Sequence, residues 1–221
     1  LVAALKKRKE NNVRPFTVMS CDNIQHNGHV LKKMLLAYIE LFDQAFATWV
    51  DENVSFPNSM VDRITPATTN EDIVTLRAQG VEDAWPVVCE PFDQWVIEDD
   101  FCNTKPCLDL VGAQFVSDVA PYEKLKLRML NAGHSVLGLV GSVAGLETIH
   151  ESVEAKQLKR LLSIFMEQEV MPTLDPVEGI DVYEYRDTLL SRFSNPFIKD
   201  TLARICLESS AKLPAFLLPT V

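Results

Sequence analysis

One stretch of the chain gathers side-chain types that move protons and donate hydrogen bonds: Tyr122-Glu-Lys-Leu-Lys-Leu-Arg-Met-Leu-Asn-Ala-Gly-His134. On a helix turning about 100° per residue, Glu123, Lys126, Asn131 and His134 share one broad sector with Leu127 and Leu130. An amine or imidazole can act as general base or acid, and an amide donates without changing its own charge. A face that is apolar yet carries these groups is neither a plain core face nor a plain wet one. On spacing alone, the favoured reading is an amphipathic helix whose Asn and His satisfy buried backbone groups.

Other chemistry-bearing pairs are weaker. His26-x2-His29 lacks the glutamate of a metalloprotease motif, and Gly28 separates the pair from the helix interior, so no metal is assigned. Cys102 and Cys107 read as ordinary thiols, and Ser209-Ser210 lacks the elbow of a serine hydrolase.

The elements that position these groups follow from composition and periodicity. The chain has 221 residues, 47% of them hydrophobic, enough for one large domain or two small ones. A net charge of −10 argues against a nucleic-acid surface. No apolar run approaches the ~20 residues of a membrane helix. Five cysteines without CxxC spacing suggest reduced thiols and a cytoplasmic location. A basic helix end at residues 1–14 precedes a buried-type strand, Phe16–Ser20, and a polar loop, Cys21–Gly28. An amphipathic helix is expected from His29 to about Val50, an extended or edge segment over Phe56–Pro66, and a short helix over residues 71–79. Strand-like runs follow at Trp85–Glu90, Phe92–Ile97 and Val111–Val116. After Pro121 the periodicity is helical, over 122–149, 154–170, 182–194 and 197–209. Gly138, Gly141 and Gly145 read as sites of close helix packing. The fold class is therefore an α/β remnant with short strands, followed by a mainly α-helical part.

Several segments together resemble the polyol-specific long-chain dehydrogenases, the mannitol dehydrogenase family. They are Lys126-x4-Asn131-x2-His134, Ser20-Cys-Asp-Asn23 with Asn27-Gly28, and Phe56-Pro-Asn-Ser-Met-Val-Asp-Arg-Ile-Thr-Pro66. Similarity continues through Ala84-Trp-Pro-Val-Val-Cys-Glu-Pro-Phe92, Arg192-Phe-Ser-Asn-Pro196, Ala203-Arg-Ile-Cys206 and Lys212-Leu-Pro214, in family order along the whole chain. The resemblance implies zinc-independent interconversion of a polyol and a ketose, mannitol and fructose foremost, with NAD or NADP. It implies Lys126 as general base, Asn131 and Asn23 as oxyanion donors, and Glu123 as a proton relay. His134 would orient a substrate hydroxyl, and Val61, Asp62, Arg204 and Lys212 would contact substrate. A lysine base works near neutral pH only if burial or cationic neighbours ease its deprotonation, and Arg204 and Lys212 could be those neighbours. Lys126 and His134 stand about 12 Å apart along a regular helix, a gap that an extended hexitol or a distortion at Gly133 could close.

A dinucleotide-binding enzyme also needs a glycine-rich phosphate turn after a strand, and this chain has no GxGxxG. The family resemblance implies that this fingerprint lies N-terminal to the present sequence. Residues 1–56 are thus expected to be the end of a Rossmann-type domain, and 57–221 a substrate-binding domain that is incomplete at its C-terminus. Alone, the piece is expected to be inactive. The expected partner is a small polyol or ketose, with no nucleic acid and no membrane; the sequence leaves the oligomeric state open. Two alternatives stand beside this: a uronate reductase of the same family, with Arg204 and Lys212 clamping a carboxylate, and a non-catalytic helical interaction module.

Overall fold

The structure is a computed structural model that describes residues 1–220. Its contacts divide the chain into two interleaved units. Leu1–Asp62 joins Gln94–Glu123 in the first, and Arg63–Asp93 joins the residues from Lys124 onward in the second.

In the first unit, helix α1 (Val2–Glu10) buries only Leu5, as its basic composition implies. Helices α2 (Asn27–Glu40) and α3 (Gln44–Asn53) replace the single helix expected from His29 to Val50. The break has a local cause: the Asp43 carboxylate accepts the Phe46 N–H at 3.0 Å and starts a new helix. Leu35, Ile39, Phe46, Ala47 and Val50 enter the core of this unit. Met34, Tyr38, Leu41 and Phe42, apolar residues that recur at helical spacing in this stretch, are exposed. The Phe16–Ser20 segment, expected as a strand, belongs to no sheet among the described residues; Val18 N–H donates to Ser55 O at 3.0 Å. A strand needs a ladder partner as well as β-forming residues, and periodicity reports only the latter.

The sheet of this unit has the order β1-β2-β3, with β1 (Ser59–Asp62), β2 (Gln94–Glu98) and β3 (Gln114–Val116). Strand β1 is an edge antiparallel to β2, in a register that sets Val61 opposite Trp95. Strand β3 runs parallel to β2, pairing Phe115 with Ile97. The expected run at Val111–Val116 is shorter because a 3₁₀ turn (Leu108–Val111) and Gly112, at φ 99°, precede the paired residues. Trp85–Glu90 forms no strand: Pro86 within it and Pro91 after it have no N–H to offer a ladder.

The second unit is mainly helical. Helix α4 (Asn70–Ala78) opens with a Thr69/Asp72 capping box and buries no residue. A long helical run comprises α5 (Ala120–Lys126), a π turn (Leu127–Asn131) and α6 (Ala132–Val143); it enters the second unit at Lys124. Helices α7 (Ile149–Glu154) and α8 (Lys156–Ile164) follow, and a second π turn (Phe165–Val170) continues α8. Asp181 caps α9 (Val182–Phe193) through the N–H groups of Tyr183 and Glu184. The helix expected over 197–209 contracts to α10 (Leu202–Cys206), because Thr201 both bridges to Thr148 and caps the helix. Helix α11 (Ser209–Lys212) leads into a third π turn (Leu213–Leu217). The core gathers Leu125, Met129, Leu137, Leu162, Met166, Leu189, Phe193 and Leu202.

The glycines of α6 serve close packing. A Cβ at Gly138 would meet Ile205 Cγ2 at 2.7 Å, and one at Gly141 would meet Ser152 Oγ at 2.4 Å. Gly145, at φ 79°, ends the helix instead. No helix among the described residues is long and apolar enough to cross a membrane.

Candidate active site

The residues singled out from the sequence fall in both units. Asn23, Val61, Asp62 and Glu123 belong to the first; Lys126, Asn131, His134, Arg204 and Lys212 belong to the second.

In the first unit, Asn27 is the organiser, a role that sequence reasoning did not assign. It is buried, and its amide nitrogen donates to Ser20 O, Asp22 O and Ser59 O at 3.2, 3.0 and 2.8 Å. Its carbonyl oxygen accepts the N–H groups of Gly28 and Ser59 at 2.8 and 2.9 Å. Ser59 Oγ adds a 2.6 Å bond to Ser20 O. The loop that carries the exposed Asn23 is thereby stitched to β1, which carries Val61 and Asp62. Asp62 is buried, whereas Val61 is 38% exposed. The sequence signal was the Asn27-Gly28 dipeptide, which belongs to the polar loop and to a family-like segment but carries no sign of its long-range partners.

Gly28 makes the stitch sterically possible. A Cβ there would lie 2.4 Å from both Phe56 O and Pro57 O, backbone atoms that cannot rotate aside. Gly28→Ala is therefore expected to destabilise the fold by about 1–3 kcal/mol, the range for overpacking a tight site. Urea unfolding measures it, and a loss below about 0.5 kcal/mol would contradict the close approach.

Glu123 lies buried in α5, and both its oxygens accept the His26 N–H, at 3.2 and 3.3 Å. Burial pushes its carboxyl above the usual range. The His26 N–H and the His26 ring oppose the rise, while Glu98 and Asp118 add to it. His26 and His29 form a stacked ring pair with centroids 5.9 Å apart. Among the described residues no group of three or more His, Cys, Asp and Glu is arranged to hold a metal ion. All five cysteines are free thiols.

In the second unit, Lys126 and Asn131 are both buried and bracket the first π turn. This corrects the uniform helix assumed from the sequence. In an α-helix, five residues carry a side chain about 140° past its starting direction. A π turn closes i→i+5, so Asn131 returns above Lys126 on one face. The distortion lies at Leu127–Asn131 and not at Gly133, whose missing Cβ instead leaves room for Met166 Cε, which a Cβ would meet at 3.1 Å. His134 follows in α6, its ring 4.6 Å from that of Phe193. The second and third π turns both pack against the first, so the chain just after Lys212 comes to the Lys126–Asn131 turn. Helix α10, which carries Arg204, packs on α6.

The two cations already have partners. Arg204 pairs with the buried Asp200 through Nε–Oδ1 at 2.7 Å and Nη2–Oδ2 at 2.5 Å. Lys212 Nζ donates to Ile205 O at 3.2 Å. A further pair, unassigned from sequence, joins two of the quoted segments: Glu90 and Arg192 form a buried bidentate bridge, Nη2–Oε1 at 2.7 Å and Nε–Oε2 at 3.0 Å. Glu90 Oε1 also accepts the Ile64 N–H at 2.6 Å.

Comparison with known proteins covers the chain from end to end. Residues 1–110 match the family described as mannitol dehydrogenase Rossmann domain, and residues 118–221 match the mannitol dehydrogenase C-terminal domain. A mannitol 2-dehydrogenase of Emericella nidulans is 47% identical over all of this chain and 45% of its own length. A mannitol dehydrogenase of Saccharomyces cerevisiae is 46% identical over all of this chain and 44% of its own. Among solved structures, the Pseudomonas fluorescens mannitol 2-dehydrogenase in ternary complex with NAD and D-mannitol has a TM-score of 0.90 at 45% identity, over 99% of this chain and 45% of that one. A substrate-free D-sorbitol dehydrogenase has a TM-score of 0.94 at 41% identity, over 99% of this chain and 46% of its own. The present chain thus spans a little under half the length of the proteins it resembles.

Proposed function

The chain belongs to the mannitol dehydrogenase family, and we propose on that footing that the whole protein is a polyol–ketose oxidoreductase using NAD or NADP. D-Mannitol and D-fructose are the proposed pair. One observation carries this: the likeness, over nearly the whole chain, to a protein solved with NAD and D-mannitol bound.

In this reading Lys126 takes the proton of the reacting hydroxyl, and Asn131 and Asn23 donate hydrogen bonds to the alkoxide that forms. Two features of Lys126 support the role. It is buried, and burial disfavours the charged form of an amine. The π turn also sets an uncharged amide donor on its face. His134 orients a neighbouring hydroxyl, Val61 and Asp62 contact the polyol, and Glu123 passes the proton outward.

The nicotinamide cofactor accepts the hydride when it is bound. The residues of this chain do not fit the diphosphate grip. The glycines with positive φ, at positions 80, 112, 145 and 179, lie at helix ends and turns, none between a strand and the start of a helix. The 221-residue piece by itself is accordingly expected not to turn over.

The uronate alternative is less well supported. A uronate carboxylate would need the Arg204 or Lys212 charge, yet Arg204 is matched by Asp200 and Lys212 is held by a carbonyl. A panel of mannitol, fructose, arabinitol and fructuronate, assayed with the full-length protein and each nicotinamide cofactor, tests the assignment. Mannitol oxidation and fructose reduction should exceed fructuronate reduction by at least about tenfold in kcat/KM. Preference for fructuronate would overturn the polyol reading.

A further inference from the structure

A buried carboxyl that is to give up protons needs a partner reaching water. Glu123 has one on the page. Its side chain is 6% exposed, and that of His26 is 54% exposed with Nδ1 3.9 Å from Glu123 Oε2. The same residue grips the carboxylate through its backbone, since the His26 N–H donates to both oxygens. His26 can do this because it stands in the left-handed region, at φ 51° and ψ 44°, as the cap of α2. That conformation is uncommon outside glycine and asparagine, and it aims the N–H at Glu123.

We propose that His26 is the group through which the Glu123 carboxyl exchanges protons with solvent. The neutral imidazole accepts the proton of the Glu123 acid: the carboxyl O–H bond breaks and an N–H bond forms at Nδ1. Glu123 is left as a carboxylate, stabilised by the amide it already accepts. The imidazolium then releases a proton to bulk water. At 3.9 Å the imidazole and the carboxyl are close but not hydrogen-bonded, so rotation of the exposed ring brings the two to transfer distance.

The surroundings favour outward transfer. Glu98 on β2 and Asp118 before α5 face Glu123, and their charges, with its burial, keep the carboxyl protonated to higher pH than usual. That narrows the gap to an imidazole. His29 stacks on His26 and is held by the Asn58 side chain, which donates to Glu98 at 3.0 Å; the ring beside His26 is therefore fixed.

The kinetic consequence rests on the oxidoreductase reading, and the test separates the two. In the full-length protein, His26→Asn keeps the backbone N–H and tolerates the left-handed conformation, but cannot take up a proton. During a single turnover of mannitol with NAD, proton release followed with an indicator dye should slow roughly 10-fold, less than the 10²–10⁴-fold of a primary acid–base group. Added imidazole should restore it, and KM for mannitol should stay within about twofold. Unchanged proton release, or slowing that imidazole does not relieve, overturns the proposal. If the wild type does not oxidise mannitol, the functional reading fails, and His26 is decided by NMR of histidine-labelled protein. Glu123→Gln should then move the ring signals of His26 and leave those of His150 in place, because His26 Nδ1 stands 3.9 Å from Glu123 Oε2; an unmoved His26 signal overturns the pairing.

Discussion

Lys126→Ala in the full-length protein is expected to lower kcat for mannitol oxidation by at least about 10³-fold while leaving NADH binding nearly unchanged. The expectation follows from the position of the amine. Lys126 is buried on a helical run that widens immediately after it, so that Asn131 returns to the same face. Removing the amine removes the proposed proton acceptor and leaves the amide donor in place. The defect should therefore fall on kcat more than on KM, because a group that acts on the reacting proton works mainly in the transition state. NADH fluorescence titration of the same variant separates a chemical defect from a folding one. Turnover within tenfold of wild type would remove Lys126 from the chemistry and, with it, the reason to read the π turn as catalytic.

The second large effect is structural. Arg192→Ala is expected to destabilise the protein by about 3–5 kcal/mol, the usual cost of stripping one partner from a buried ion pair. The Glu90 carboxyl, 1% exposed, would keep the Ile64 N–H but lose the guanidinium that balances it. The change also removes a cation–π contact, with the Arg192 guanidinium carbon 3.9 Å from the Phe92 ring centroid. Because Ile64 lies two residues beyond Asp62, the bridge fixes the backbone that leads out of the proposed polyol-contact strand. Urea unfolding measures the loss. Arg192→Ala paired with Glu90→Leu should recover part of it, since an apolar pair carries no uncompensated charge. A single-variant loss below about 1 kcal/mol would mean that the pair behaves like an exposed one.

These two cases show what sequence reasoning reaches and what it does not. Lys126, Asn131 and His134 became candidates through the family resemblance, since spacing alone favoured a plain amphipathic helix. Their mutual orientation was not, because a π turn changes the period without any mark in residue type. Glu90 and Arg192 lay inside segments already noted as family-like, yet 102 residues apart they carried no local sign of pairing. Asn27 likewise lay in a segment read as a polar loop, and its partner Ser59 is 32 residues away.

The elements divide in the same way. Helices α4 and α9 fall close to where they were expected, because their start signals, Thr69 with Asp72 and Asp181, act over three residues. The long helix from His29 was misjudged by the capping residue in its middle. Phe16–Ser20 and Trp85–Glu90 have strand-forming composition but no ladder, one for want of a partner and the other because of its prolines.

What the sequence by itself determined was the inventory of chemical groups, the family resemblance and the succession from mixed α/β to helical structure. Each depends on residue type and on neighbours within about one turn. The tertiary structure decided which polar groups are buried, which of them hold each other, and where a helix departs from its regular winding. Those outcomes depend on atoms brought together from distant parts of the chain, and a one-dimensional period has no term for them.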